Sequence, residues 1–123
     1  MTIIEAINRI NSLKPNNYTQ PEKVEWLSTL DGIIKKEIID THEGYESVIF
    51  NGYDTDTALD TTLLAPDPYD DVYIKWLEAQ IDYANGDTQR YENSMIAYNT
   101  AYSALQRYYN RTHMPISKSF RFF

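Results

Sequence analysis

Between Tyr91 and Tyr109 the large side chains recur at Tyr91, Met95, Tyr98, Tyr102, Leu105 and Tyr109, in steps of four, three, four, three and four. That rhythm is the seam of an α-helix packed along its length, and a strand cannot produce it. Upstream, Tyr69, Tyr73, Trp76, Gln80 and Tyr83 repeat the spacing, with Val72, Leu77, Ile81 and Ala84 widening the stripe. Asn85, Gly86 and Asp87 separate the two runs. Gly86 is suited to the left-handed conformation that closes a helix, and Asp87 to capping the next one. Residues 66–112 are therefore expected to form a long antiparallel αα-hairpin.

The rest of the chain fits around that pair. Thr2 is placed to cap a helix with apolar positions Ile3, Ile4, Ile7, Ile10 and Leu13, ending before Lys14 and Pro15. Thr19 stands three residues before Glu22, a capping-box spacing, and Pro21 is tolerated in the first turn. The second helix carries Val24, Leu27, Leu30, Ile34 and Ile38, with Trp26 and Ile33 beside them, and fades near Asp40 and Thr41. Gly32 inside it reads as a site of close packing. From His42 to Ala65 the period is lost: 45–50 is a candidate short strand, and Asp54 to Thr62 an exposed loop tucked back by Leu59, Leu63 and Leu64. Asp67 and Pro68 are expected to open the third helix, as cap and first helical residue. The expected fold is all-α, a small bundle of about four helices. It has an irregular 42–65 excursion and an extended C-terminal tail, with 1–112 as one helical domain and 113–123 as a docking tail.

Charge is unevenly spread along the 123 residues, whose formal net charge is −7. The stretch 37–87 holds thirteen acidic residues against Lys75 alone, whereas 88–123 holds five basic residues against Glu92. An acidic middle argues against wrapping nucleic acid, and a basic end suits head-to-tail contact between copies as well as it suits a solvated face. The chain has no cysteine, which excludes disulfides and thiolate chemistry. No run approaches the roughly 18 apolar residues of a membrane span, so a soluble chain without membrane contact is expected.

Tests for chemistry fail one by one. His42 and Glu43 begin a zinc-protease pattern, but Glu46 stands where the second histidine belongs. Both histidines, His42 and His113, read as surface residues. Asp54, Asp56 and Asp60 fail as a calcium loop, because Leu59 and Ala65 stand where glycine and glutamate are needed. Glu78 and Asp82, one turn apart, read as an exposed acidic helix face. No catalytic, cofactor or metal residue is assigned, and a non-enzyme is expected. Eight of the eleven tyrosines lie in the hairpin. Tyrosine suits surfaces buried without becoming dry, so they read equally as a core edge and as a contact face. Ala97, Ala101, Ala104 and Tyr108 add a second, small-residue seam. Three Phe and two positive charges in 118–123 make a tail that folds back or docks elsewhere.

Several segments together resemble the head-to-tail connector (adaptor) proteins of tailed bacteriophages. They are Ile3-Ile4-Glu5-Ala6-Ile7, Glu25-Trp26-Leu27 and Leu30-Asp31-Gly32, then Leu64-Ala65-Pro66-Asp67-Pro68-Tyr69 running into Tyr73, Leu77, Gln80 and Tyr83. Asn85-Gly86-Asp87, Tyr91, Asn93, Tyr98, Ala101-Tyr102 and Tyr108-Tyr109-Asn110-Arg111-Thr112 continue the likeness, which covers most of the chain except 45–62. It lies in helix order, the Pro-Tyr opening of the third helix and the Tyr-rich fourth. The resemblance implies a structural protein of the virion neck, assembled from host bacterial cytoplasm as a homo-oligomeric ring of about twelve copies (a dodecamer). Its implied partners are the portal protein, head-closure or tail proteins, and DNA passing without sequence-specific binding. It further implies a docking interface of Ile116, Lys118, Phe120, Arg121, Phe122 and Phe123 with Tyr108 and Tyr109. Asp54, Asp56 and Asp60 would then face the channel or the ring contact and repel sliding DNA. The alternative is a helical-hairpin interaction adaptor of the tetratricopeptide type, which the run from Tyr83 through Asp87 to Tyr91 and Ala97 also resembles, though no second repeat is present.

Overall fold

A computed structural model describes residues 1–45 and 47–113. It is all-α, with four helices: α1 (Ile3–Leu13), α2 (Gln20–Glu37), α3 (Asp71–Ala84) and α4 (Thr88–Thr112). A single 3-10 turn, Ile39–Thr41, extends α2. The most extensive packing is between α3 and α4, the expected hairpin; α1 and α2 lie against each other and against α3.

Local chemistry explains most helix ends. Thr2 and Glu5 form a reciprocal capping box at α1, and Thr19 and Glu22 form another at α2. Each box satisfies N–H groups that a helix start leaves without partners. The remaining free amides of α1 are met from far along the chain: Ile3 N–H donates to the Thr61 carbonyl and Ile4 N–H to that of Leu59. At the hairpin turn Gly86 takes φ +74°, and the Asp87 carboxylate accepts from Arg90 N–H to cap α4. The core gathers Ile3, Ile7 and Ile10 of α1, Leu27, Leu30, Ile34 and Ile38 of α2, and Tyr73, Leu77 and Ile81 of α3. From α4 come Tyr98, Leu105 and Tyr109, every one of them on the expected seam.

Five expectations need correction. Leu13 is exposed, because α1 ends there and its stripe turns off the core. α3 starts at Asp71, not after Asp67; residues 66–70 are turns, with Tyr69 N–H bonded to the Pro66 carbonyl and the Asp67–Pro68 peptide bond cis. The cause lies just upstream, where the backbone N–H groups of Leu64 and Ala65 are held in a bend by side chains of α2 and α3. The 45–50 segment forms no strand among the described residues (Glu46 lies outside them), since no neighbouring strand offers a ladder. The sole strand-like pairing described is an isolated antiparallel bridge between Thr2 and Thr62. Gly32 is not a point of close approach: a Cβ there would sit 3.9 Å from the Phe50 ring, an ordinary contact. Asp82, read as part of an acidic surface, is 1% exposed. It accepts from Lys14 Nζ at 2.6 Å and from Ser94 Oγ at 2.6 Å, tying the end of α1 to the hairpin.

Candidate functional site

The 42–65 excursion carries the chain's irregular backbone, and the fold fixes it at three stations. The first lies at the C-terminal end of α4. His42, read as a surface residue, is buried, with Nδ1 2.7 Å from the Ile38 carbonyl and Nε2 2.7 Å from Asn110 Oδ1. Tyr45 packs on Tyr109 and places its hydroxyl 3.0 Å from His113 Nδ1. The start of the excursion is thereby fastened to the C-terminal end of α4.

The second station is the centre of α2. Asp31 is completely buried, and three donors converge on its carboxylate. Tyr53 Oη donates to Oδ2 at 2.5 Å, Tyr73 Oη to Oδ1 at 2.6 Å, and Leu64 N–H to Oδ2 at 3.1 Å. Tyr73 Oη in turn accepts from Ala65 N–H at 2.6 Å. One carboxylate thus joins α2, α3 and both halves of the excursion. Burial pushes the Asp31 carboxyl above its ordinary range, against the pull of the two hydroxyls and the amide. Burial also raises the hydroxyls of Tyr53 and Tyr73, and the adjoining Asp31 charge adds to it. Ser28 reinforces the latch by accepting from Tyr53 N–H at 2.9 Å. The third station is the α1 start described above, where Leu63 N–H also donates to the Met1 carbonyl.

Between Tyr53 of the second station and Thr61 of the third lie Asp54, Asp56 and Asp60, all exposed as expected. Asp54 shapes its own turn by accepting from Asp56 N–H at 2.8 Å and from Thr57 Oγ1. Asp54 and Thr55 wall a groove of about 390 Å³ together with Pro21, Glu22, Glu25 and Tyr53. Among the described residues no cluster of three or more His, Asp and Glu is arranged to hold a metal ion.

The expected interface residues divide. Ile116, Lys118, Phe120, Arg121, Phe122 and Phe123 lie outside the described residues. Tyr108 is half-buried, its ring 4.7 Å from that of Tyr69. Tyr109 is 3% exposed and belongs to the core, because α4 turns it inward onto His42 and Tyr45. Burial pushes its hydroxyl up to about 12. The tyrosines divide: Tyr73, Tyr98 and Tyr109 are buried, Tyr83 is 69% exposed, and the other seven are part-buried.

Asp31, Tyr53 and His42 were not singled out by sequence reasoning for these roles. A signal for Asp31 exists. Val24, Leu27, Asp31, Ile34 and Ile38 repeat at three, four, three and four, which puts a carboxylate on the buried seam itself. Comparison with protein-family models, with curated proteins and with solved structures finds no match.

Proposed function

We propose that this chain is a structural assembly protein of a tailed-bacteriophage neck, a connector that forms a ring beneath the portal and continues the DNA channel. The observation that carries the reading is a division of labour along the chain. The described residues close a core of their own, in which no buried side-chain nitrogen or oxygen lacks a hydrogen-bond partner. The basic, Phe-rich residues 118–123 lie beyond that core in sequence and combine rings with positive charge, the chemistry an assembly contact uses. The latched excursion fits the same role. A loop fastened at three stations presents Asp54, Asp56 and Asp60 as a fixed acidic surface, and such a surface lining a channel would repel DNA and let it slide. The tetratricopeptide alternative gains no support, since the helices have 11, 18, 14 and 25 residues and the hairpin is not repeated among the described residues.

The test is co-assembly with the portal protein encoded in the same genome. The expected outcome is a collar of this chain bound to the portal ring at fixed stoichiometry, visible by negative-stain microscopy. The expected gene neighbours are capsid and tail genes. No binding to the portal, with unrelated neighbouring genes, would overturn the proposal.

A further inference from the structure

Tyr83 is the anomaly among the tyrosines. It lies near the end of α3 at the hairpin tip, with its ring 5.2 Å from that of Tyr91. The two rings help to line a groove of about 320 Å³, completed by Gly86, Asp87, Thr88 and Glu92. The Tyr83 ring is exposed on a rigid support, and tyrosine is enriched in binding hot spots. The rim is acidic on balance: Arg90 is 3.4 Å from Asp87, whereas Glu92 makes no ion pair among the described residues. The C-terminal carbonyls of α3 add partial negative charge at the same end.

The chain itself contains a segment of matching chemistry. Lys118, Phe120, Arg121, Phe122 and Phe123 combine rings with positive charge. We propose that the hairpin-tip groove seats residues 118–123 of a second copy, so that the protein self-associates head to tail. Reach decides against the same copy. α4 has 25 residues, so its two ends lie about 37 Å apart. Phe120, Phe122 and Phe123 stand seven, nine and ten residues beyond His113, and their Cα atoms reach at most about 25, 32 and 36 Å when fully stretched. Tyr91 and Thr88 lie about 33 to 37 Å back along the helix, so only the last residue of a fully stretched chain draws level with Tyr91, and the six-residue segment cannot be seated in its own groove. Donor and acceptor therefore sit at opposite ends of each copy. That is a heterologous contact, which repeats around a ring or along an open chain. The inference rests on the self-assembly part of the proposed function and does not involve the portal.

The experiment uses the full chain and two loss-of-contact variants. Tyr83→Ser keeps the tail and disables the groove; Phe120→Ser with Phe122→Ser keeps the groove and disables the tail. Sedimentation equilibrium of the wild type should give a mass that grows with concentration past the dimer. Each variant alone should be monomeric, its association weakened at least about tenfold. An equimolar mixture should stop at the dimer, because only one productive pairing remains. Glu92→Lys is the second groove variant, and far-UV circular dichroism checks that all variants fold alike. A wild type that stays monomeric overturns the proposal, as does a mixture that stays monomeric. Groove variants that assemble as the wild type does would put the tail elsewhere, for instance in the Glu22–Glu25–Asp54 groove, and overturn it too. Portal binding that survives any of these results leaves the neck assignment standing.

Discussion

Replacing Asp31 with alanine removes the acceptor shared by Tyr53, Tyr73 and Leu64. Tyr53 is partly exposed and can turn its hydroxyl to water, but Tyr73 is wholly buried and the Leu64 amide is held against α2. A hydrogen bond to a charged acceptor contributes about 1.5–3 kcal/mol, and an orphaned buried donor forfeits that. Two such donors, less the recovered cost of desolvating the carboxylate, give a net loss of about 3 kcal/mol for Asp31→Ala. For a domain of this size that corresponds to a drop of roughly 12 °C in Tm. Asp31→Asn keeps the shape and one acceptor oxygen, so its loss should be about 1 kcal/mol. Urea unfolding followed by far-UV circular dichroism measures both. The pH dependence has a definite sign. The folded carboxyl titrates above its ordinary 3.8, so the folded state binds the proton more tightly than the unfolded one. Wild type should therefore gain stability relative to Asp31→Asn as pH falls through the window above 3.8. An Asp31→Ala protein within about 0.5 kcal/mol of wild type would refute the latch, since surface substitutions typically fall in that range.

Three further outcomes follow from the same structure. Burial holds the Tyr98 and Tyr109 hydroxyls up at about 12, against an ordinary 10.0, so the unfolded chain loses those protons first. Stability should fall as pH rises from 10 towards 12, and tyrosinate absorbance should appear together with loss of helical signal. Lys14→Ala leaves the buried Asp82 carboxylate with only Ser94 as donor and should cost about 2–3 kcal/mol; the Lys14→Ala, Asp82→Ala double variant should lose less than the sum of the single losses in a double-mutant cycle. Gly32→Ala should stabilise by about 0.5–1 kcal/mol because the site has room and lies within a helix, whereas Gly86→Ala should cost about 1 kcal/mol at φ +74° despite open space around it. Thermal melts of the two glycine variants shifting in the same direction would contradict this.

The hairpin was legible because its signals are local and periodic: the Tyr91–Tyr109 seam, Gly86 at the turn and Asp87 as cap. Both capping boxes were legible for the same reason, a spacing of three residues. The start of α3 was misplaced because Asp67 and Pro68 satisfy every local rule for a helix start. The competing force is tertiary, the grip of Asp31 and Tyr73 on Leu64 and Ala65. Pairings across the fold were likewise hidden. Lys14 meets Asp82 across 68 residues, and His42 meets Asn110 across the same separation, so no spacing rule connects them. Asp31 had a clue in its seam position, but a charged residue in an apolar repeat is readily assigned to the neighbouring solvent face. In α3 the same habit misread Asp82.

Under the proposed function, residues 1–113 hold the fold and residues 114–123 serve assembly. Ending the chain at His113 and comparing it with the 123-residue chain by thermal melting and sedimentation tests both halves at once. The expected result is a Tm within about 2 °C of that of the 123-residue chain, as for a change that touches no core contact, together with loss of self-association. A truncated chain that unfolds, or one that self-associates as strongly as the 123-residue chain, would contradict this division.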